Sequence, residues 1–364
     1  MEAKKLASFF VLGYSYLRGV MNETVEIREI LSERDHWLIL DVRSPGEFHA
    51  GHIPGAVNLP LFTDEERAVV GTLYKQVSPE AAMKEGLKIA GSRLHIYLEM
   101  IAPFKEKKDK IALHCWRGGK RSEAMQWLYN FSGIEVYRIQ GGYKSYRQSF
   151  ISFLTENDLK FNVLGGCTGS GKTEILAEIA RRGHQVVDLE KIARHKGSAF
   201  GSIGESAQPT NEQFENDLFE AFLSLDISRP IWVENESRNI GKVYMPEALW
   251  TRIRNSMLYN IEVDSEIRLE RAMSYYSRPA DVEILKQSFL KIKKRLGGLE
   301  YQNAIKAIDE DDLRTAASIA LKYYDKSYTF QLQQWPAERV INLEHCNTVD
   351  ETVDRLLLTE LISC

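Results

Sequence analysis

The stretch LHCWRGGKRSEAM (Leu113–Met125) places one cysteine between an apolar run and a helical pattern, with two glycines and three basic residues in the turn. Cys115 is the residue here that can form a covalent bond. In such a turn the glycines Gly118 and Gly119 permit backbone angles that aim consecutive N–H groups inward. The helix that follows adds partial positive charge at its start, and Arg117, Lys120 and Arg121 add full charges. All of these favour thiolate over thiol. Two chemistries use this design: carriage of sulfur or selenium on the thiol, and attack on a phosphate ester. The loop alone leaves both open, and the expected catalytic set is Cys115, Arg117, Gly118, Gly119 and Arg121.

A second motif, GCTGSGKT (Gly166–Thr173), fits G-x-x-x-x-G-K-[ST] between an expected strand and an expected helix. Its expected phosphate-binding residues are Gly166, Gly169, Ser170, Gly171, Lys172 and Thr173. The glycines let backbone N–H groups surround a diphosphate, Lys172 reaches its outer oxygens, and Thr173 offers a hydroxyl to Mg²⁺. Cys167 reads as a passenger in this loop. Supporting residues are expected at strand ends: Asp188, and Glu234 with Glu236, for a metal-water contact. Arg238 is expected to face diphosphate or RNA, or to pair with Glu236. Trp116 is expected either to stack on a base or to pack under its loop. No nucleobase-recognition motif accompanies the phosphate loop, and no structural metal site is expected.

The elements that must hold these loops follow from periodicity. HWLILDV (His36–Val42) and KIALHC (Lys110–Cys115) read as buried parallel strands. RSEAMQWLYNFSG then reads as a helix with Ala124, Trp127, Leu128 and Phe131 at helical spacing, stopped by Gly133, and EVYRI as the next strand. The pattern restarts with KFNVLGG, followed by the helix KTEILAEIARRG and the strand candidates QVVDLE, PIWVENE, LYNIEVD and RVINLE. Two complete α/β patterns meet at SYRQSFISFLTENDLK. The expected organisation is an extension over residues 1–24, a first α/β domain over 25–152, and a second over 153–364 with a helical C-terminal part. The basic segment Lys286–Gly298 reads as a solvated helix face or an RNA contact.

The whole chain has 364 residues and a net charge of −4. Residues 1–150 carry +3 and the remainder −7, so any nucleic-acid surface is a local patch rather than a global field. Four cysteines without a CxxC pair argue against a disulfide framework or a zinc site, and Cys346 and Cys364 read as incidental thiols. The apolar run near the N-terminus is broken by Tyr14, Ser15 and Tyr16 and is too short to span a bilayer. It reads as a poorly ordered extension, with Met21 as an alternative start, on a cytoplasmic protein.

LDVRSPGEFHAGHIPGAVNLP (Leu40–Pro60) resembles the N-terminal signature of rhodanese domains, and IQGGYKSY resembles their closing segment. The H-C-x5-R loop is one residue longer than the usual rhodanese C-x4-R. A rhodanese-like parallel-sheet domain followed by a P-loop NTPase-like α/β domain resembles the tRNA 2-selenouridine synthase family. The stretches DVRSPGEFHAGHIPGAVNLPLF, ERAVVGTLYKQ, CWRGGKRS, GGCTGSGKTE, DLEKIARHKGSAFG, QPTNEQFEN and WVENESRNIG carry the likeness from about Val25 onward. That resemblance implies a two-step reaction on wobble 2-thiouridine of tRNA: geranylation of the sulfur from geranyl diphosphate, then replacement by selenium from selenophosphate, with Cys115 as an S-selanylcysteine carrier. It implies tRNA and an enzyme supplying selenophosphate as partners, no tightly bound cofactor, and no membrane. Competing expectations are a persulfide sulfurtransferase, a Cys-x5-Arg phosphatase with a nucleotide-binding domain, and a non-catalytic phosphate- or tRNA-binding adaptor.

Overall fold

The computed structural model describes residues 23–104, 108–276, 282–346 and 348–363. The chain divides into two compact units, Met1–Phe153 and Leu154–Cys364. The N-terminal apolar run, Met21 and Cys364 lie outside the described residues.

The first unit is built on β1 (Thr24–Val25), β2 (Trp37–Asp41), β3 (Val57–Asn58), β4 (Lys110–His114) and β5 (Tyr137–Ile139). All pair in parallel, in the order β1-β5-β4-β2-β3. A parallel sheet is covered on both faces, so its central strands read as continuous apolar runs. WLILD is buried at all five positions. The β2–β4 register sets Asp41 beside His114, which puts Cys115 immediately beyond the carboxyl end of the central strand. Ligand sites of open α/β sheets lie at that end. Thr24, expected in the extension, instead opens the edge strand and pairs with Arg138.

Helix Lys120–Phe131 follows the cysteine loop and ends before Gly133 at φ +82°. Its buried face is not the expected one: Met125, Leu128 and Tyr129 are buried, whereas Ala124, Trp127 and Phe131 are exposed. Leu128 alone belongs to both sets. The apolar spacing is shared by two stripes of this helix, and the polar Ser122, Gln126 and Asn130 turn inward because they have partners there. Gln126 and Asn130, for example, both donate to the Val136 carbonyl. The segment expected as a connection is largely the helix Gly142–Glu156.

The second unit holds β6 (Phe161–Gly165), β7 (Gln185–Val186), β8 (Ile231–Glu234), β9 (Asn239–Ile240), β10 (Val243–Tyr244), β11 (Met257–Glu262) and β12 (Val340–Glu344). Five form a parallel sheet in the order β12-β11-β6-β8-β7, while β9 and β10 make a small antiparallel hairpin. β6 is central and buried throughout. The register aligns Gly165 with Asn260 on one side and Leu164 with Glu234 on the other, so the phosphate loop leaves the sheet flanked by those side chains. QVVDLE is a strand for two residues only. Asp188 then caps the helix Leu189–Ala193 by accepting the Lys191 N–H at 2.8 Å, because an Asp followed by a helical pattern is a better cap than a strand end. Helices Val282–Leu296, Gly298–Asp309 and Leu313–Leu332 pack a separate apolar cluster around Phe289, Ala304, Ile308 and Ala316, with Phe200 from the loop after Lys196.

Gly142 has φ +62°, and a Cβ there would overlap the Cys115 carbonyl and the Gly118 nitrogen. Gly142→Ala is therefore expected to destabilise the first unit by about 2 kcal/mol or more, read as a lowered urea midpoint. A midpoint unchanged from wild type would contradict the close approach of these segments.

Candidate active-site loops

Cys115 is 3% exposed and lies at the floor of its loop. Its Sγ is 3.3 Å from the Ser122 Oγ, and Ser122 in turn donates to the Gly119 carbonyl at 2.8 Å. Ser122 stands in the first turn of the helix that Gly119 caps, so its hydroxyl can accept from a thiol or rotate to donate to a thiolate. Gly118 has φ +66°, and a Cβ there would meet the Ile139 carbonyl at 2.7 Å. Trp116 and Arg117 are exposed at the rim. The Trp116 ring is tilted against Tyr143 with centroids 5.6 Å apart. One face thus packs while 37% of the residue stays open to solvent.

The closing segment clamps the loop through its backbone. Tyr143 N–H donates to the Cys115 carbonyl and Lys144 N–H to the Trp116 carbonyl, both at 3.0 Å. Below lies a buried polar group contributed by the DVRSPGEF stretch. Arg43, 1% exposed, holds both Asp41 carboxylate oxygens, donates to the Gly51 carbonyl at 2.6 Å, and stacks over Tyr143 at 3.9 Å. Burial opposes the charge on Asp41, but neighbouring His114 and the Arg43 bonds together outweigh it and hold the carboxyl below its usual range. Burial pushes the His114 imidazole down, against the pull of Asp41. Glu47 caps its own helix with Ser44 and grips Arg121 at 2.5 Å. Arg121, expected to face the reacting group, is thereby a half-buried ion pair that ties the helix Lys120–Phe131 to the signature stretch.

In the phosphate loop, Gly169 and Gly171 have φ +83° and +84°. A Cβ on Gly166 would strike the Ser170 Oγ, around which the loop wraps. Lys172 Nζ reaches across to the Gly166 carbonyl at 3.0 Å. Gly166, Gly169, Ser170, Gly171, Lys172 and Thr173 all line one cavity of about 420 Å³. The helix Lys172–Arg181 opens on Gly171 with no side-chain cap, leaving first-turn N–H groups for an anion. Burial, with Asp325 beside it, pushes the Cys167 thiol up to about 11, which keeps it protonated and inert.

The supporting residues separate. Glu236 lines the cavity. Glu234 is 2% exposed beside it, accepts the Glu190 N–H at 2.6 Å through one oxygen, and has no partner for the other among the described residues. Asp188 is spent on its cap. Arg238 pairs with Glu247 rather than Glu236 and donates to the Met245 carbonyl, because the turn into the β9–β10 hairpin carries it away from the loop. Motif reading missed Glu190, Tyr328 and Arg271. Glu190 and Glu236 crowd the same point, both within 3 Å of where a Gly197 Cβ would stand, and burial then mutual repulsion raise Glu190. Tyr328 accepts the Gly166 N–H at 2.7 Å and donates to Asn260 at 2.6 Å. Arg271 crowds Gly171 and lines the cavity, with Nη1 buried and without a partner among the described residues. Both come from helices far along the chain, and no local spacing marks them. Among the described residues no cluster of three His, Cys, Asp or Glu is arranged to hold a metal, and no helix is long and apolar enough to cross a membrane.

Residues 24–149 match the rhodanese-like domain model, and residues 159–358 match the tRNA 2-selenouridine synthase AAA domain model. The tRNA 2-selenouridine synthase of Hahella chejuensis is 36% identical over 83% of this chain and 87% of that protein. That of Shewanella oneidensis is 33% identical over 87% of this chain and 92% of its own length. That of Nitrosomonas europaea is 42% identical over 65% of this chain, the match spanning 63% of that relative's length.

Burial first, then the negative charge of Asp188, pushes Glu234 up to about 8 from its ordinary 4.5. The folded unit thus keeps a proton that the unfolded chain releases. This stability is fully present below pH 4.5 and is lost as pH rises through 8. Urea unfolding of the second unit is expected to weaken from pH 5 to pH 8, by at most about 1.4 kcal/mol per pH unit for this group. Glu234→Gln should flatten that slope; an identical slope in the variant would contradict the assignment.

Proposed function

The chain belongs to the tRNA 2-selenouridine synthase family, and we propose that it converts wobble 2-thiouridine of tRNA to 2-selenouridine in two steps. Geranylation of the sulfur from geranyl diphosphate comes first. Replacement of the geranylated sulfur by selenium from selenophosphate follows in the Cys115 loop: the C2–Se bond forms as the C2–S bond breaks, geranyl thiol leaves, and water then takes the phosphoryl group from selenium as phosphate. One observation carries the reading: two anion-ready loops, each at the carboxyl end of a central parallel strand and each opening a glycine-capped helix, one with a nucleophile and one with Lys172.

Thiocarbonyl sulfur leaves poorly. Alkylation makes it a neutral thiol leaving group and makes C2 more electrophilic. In the first step Lys172, the loop N–H groups and Arg271 neutralise the departing diphosphate, an electrostatic stabilisation of developing charge. Thr173, Glu190 and Glu236 line the same cavity, an oxygen set of the kind Mg²⁺ takes with a phosphate ligand. A Mg²⁺ there would offset diphosphate charge. In the second step the Cys115 loop holds the selenium donor. The exposed face of Trp116 and the Arg117 guanidinium suit stacking on a base splayed from a single-stranded anticodon loop. The phosphatase reading loses support because Asp41, Glu47 and Glu123, acids near the loop, are all ion-paired, which leaves none of them poised to protonate a leaving oxygen.

Purified protein incubated with 2-thiouridine tRNA, geranyl diphosphate and selenophosphate should yield 2-selenouridine when the digested nucleosides are weighed. Cys115→Ala should stop at S-geranyl-2-thiouridine. Unchanged tRNA with folded wild-type protein would refute the reading.

A further inference from the structure

The fold divides the charges of the basic segment on helix Val282–Leu296. Lys286 pairs with Asp309, and the Lys293 ammonium lies 4.6 Å from the centre of the Tyr301 ring. Lys291, Lys294 and Arg295 are exposed, and among the described residues no carboxylate pairs with them. Leu285, Ser288, Phe289 and Ile292 form the buried face of this helix, which leaves Lys291, Lys294 and Arg295 as neighbours at i, i+3 and i+4 on its outer surface. Arg295 lines the phosphate cavity. Helix Leu313–Leu332 gives Tyr323 and Ser327 to the same lining. Lys322 and Lys326, one position before each, are exposed and likewise without a carboxylate among the described residues. Nearby acids are already engaged. Asp325 holds two nitrogens of Arg268, and Glu205, which shares the surroundings of His195 with Lys291, is taken by Lys196 at 3.2 Å. Like charges at these helical spacings repel, and here they do so in a half of the chain, residues 151–364, that carries −7.

We propose that Lys291, Lys294, Arg295, Lys322 and Lys326 form an RNA-docking rim, holding the phosphodiester backbone beside the target base so that the base reaches the phosphate cavity. The inference rests on the reading of tRNA as the substrate. A small anion on the phosphate loop is served by Lys172 and Arg271. Lys291, Lys294, Lys322 and Lys326 stand outside the cavity lining, so an anion that engages them together spans the rim, as a chain of phosphates does. Each phosphate neutralised by a lysine or arginine releases condensed counterions, and that release supplies the sequence-independent affinity for nucleic acid. Tyr323, half-buried in the lining, offers a ring on which a base splayed from a single-stranded loop stacks. A chain with a net charge of −4 must bind RNA through a local patch, and this rim is such a patch.

The test is fluorescence anisotropy of labelled 2-thiouridine tRNA with the full chain, titrated between about 50 and 200 mM salt. Lys291→Ala/Lys294→Ala/Lys326→Ala should weaken binding about tenfold or more and reduce the slope of log affinity against log salt by about 2. Lys75→Ala/Lys84→Ala/Lys88→Ala makes the same charge change on exposed lysines of the first unit and should keep the wild-type slope. A measurement on wild type guards against a misfolded variant. Bound tRNA should protect Lys291, Lys294, Lys322 and Lys326 from acetylation, read by peptide mass, and leave Lys75 and Lys84 reactive. Equal acetylation with and without tRNA, or a rim variant that binds no more weakly than the first-unit variant, would overturn the rim and leave the tRNA reading standing. Poly-glutamate bound as tightly as tRNA would assign the rim to an acidic protein, and an equal loss of inorganic diphosphate binding in the rim variant would assign it to the small-anion site; either overturns the proposal. Failure of folded wild type to bind tRNA at the lowest salt would overturn the tRNA reading and the rim with it.

Discussion

Both candidate sites rest on one constraint: a helix whose first N–H groups are left without a side-chain partner must find one elsewhere. Helices Asp64–Gln76, Pro79–Gly91 and Asn211–Leu223 satisfy theirs with Thr63, Ser78 and Thr210. Helices Lys120–Phe131 and Lys172–Arg181 begin on Gly119 and Gly171 instead. Each follows the central strand of a parallel sheet, so its open end is presented at the carboxyl edge, where anions are received. Much of the surrounding sequence serves to keep these two ends in place.

The support differs between the loops. Around Cys115 it is ionic and buried. Asp41, Arg43 and Tyr143 stack beneath the loop, Glu47 holds Arg121, and Asn58 donates to the Asp41 and Arg43 carbonyls at 2.9 Å. Removing one member of a buried ion pair leaves the other uncompensated, at about 3–5 kcal/mol, so each residue of the DVRSPGEF stretch constrains the others. Around Lys172 the support comes from remote helices: Tyr328 beneath Gly166, Arg268 donating to the Thr168 carbonyl at 3.3 Å, and Arg271 against Gly171. Burial pushes Glu190, Glu234 and Glu236 up, with like charge adding to it at Glu190 and Glu234, a shift that a bound cation would reverse.

What was legible in the sequence was local. Cys115 and Lys172 stand in turns whose glycine and basic spacing marks anion-binding loops, and buried strands such as WLILD and FNVLG declare a parallel sheet. What was not legible came from competition that spacing does not report. Trp127 and Phe131 fit a core stripe, but Gln126 and Asn130 had hydrogen-bond partners inside and won the inward face. Asp188 sat after an apolar run yet preferred to cap a helix. Arg238 was carried off by the hairpin that follows it. Tyr328 and Arg271 reach the phosphate loop from more than 90 residues downstream, through tertiary packing alone.

The central claim is that the two loops serve separate steps. The most direct test supplies tRNA already carrying S-geranyl-2-thiouridine, with selenophosphate, to wild type, Lys172→Ala and Cys115→Ala, and follows 2-selenouridine over a single turnover. Lys172→Ala should match wild type, since its loop has no diphosphate left to release, while Cys115→Ala should form no product. Failure of a folded Lys172→Ala on this pre-alkylated substrate would contradict the division of labour.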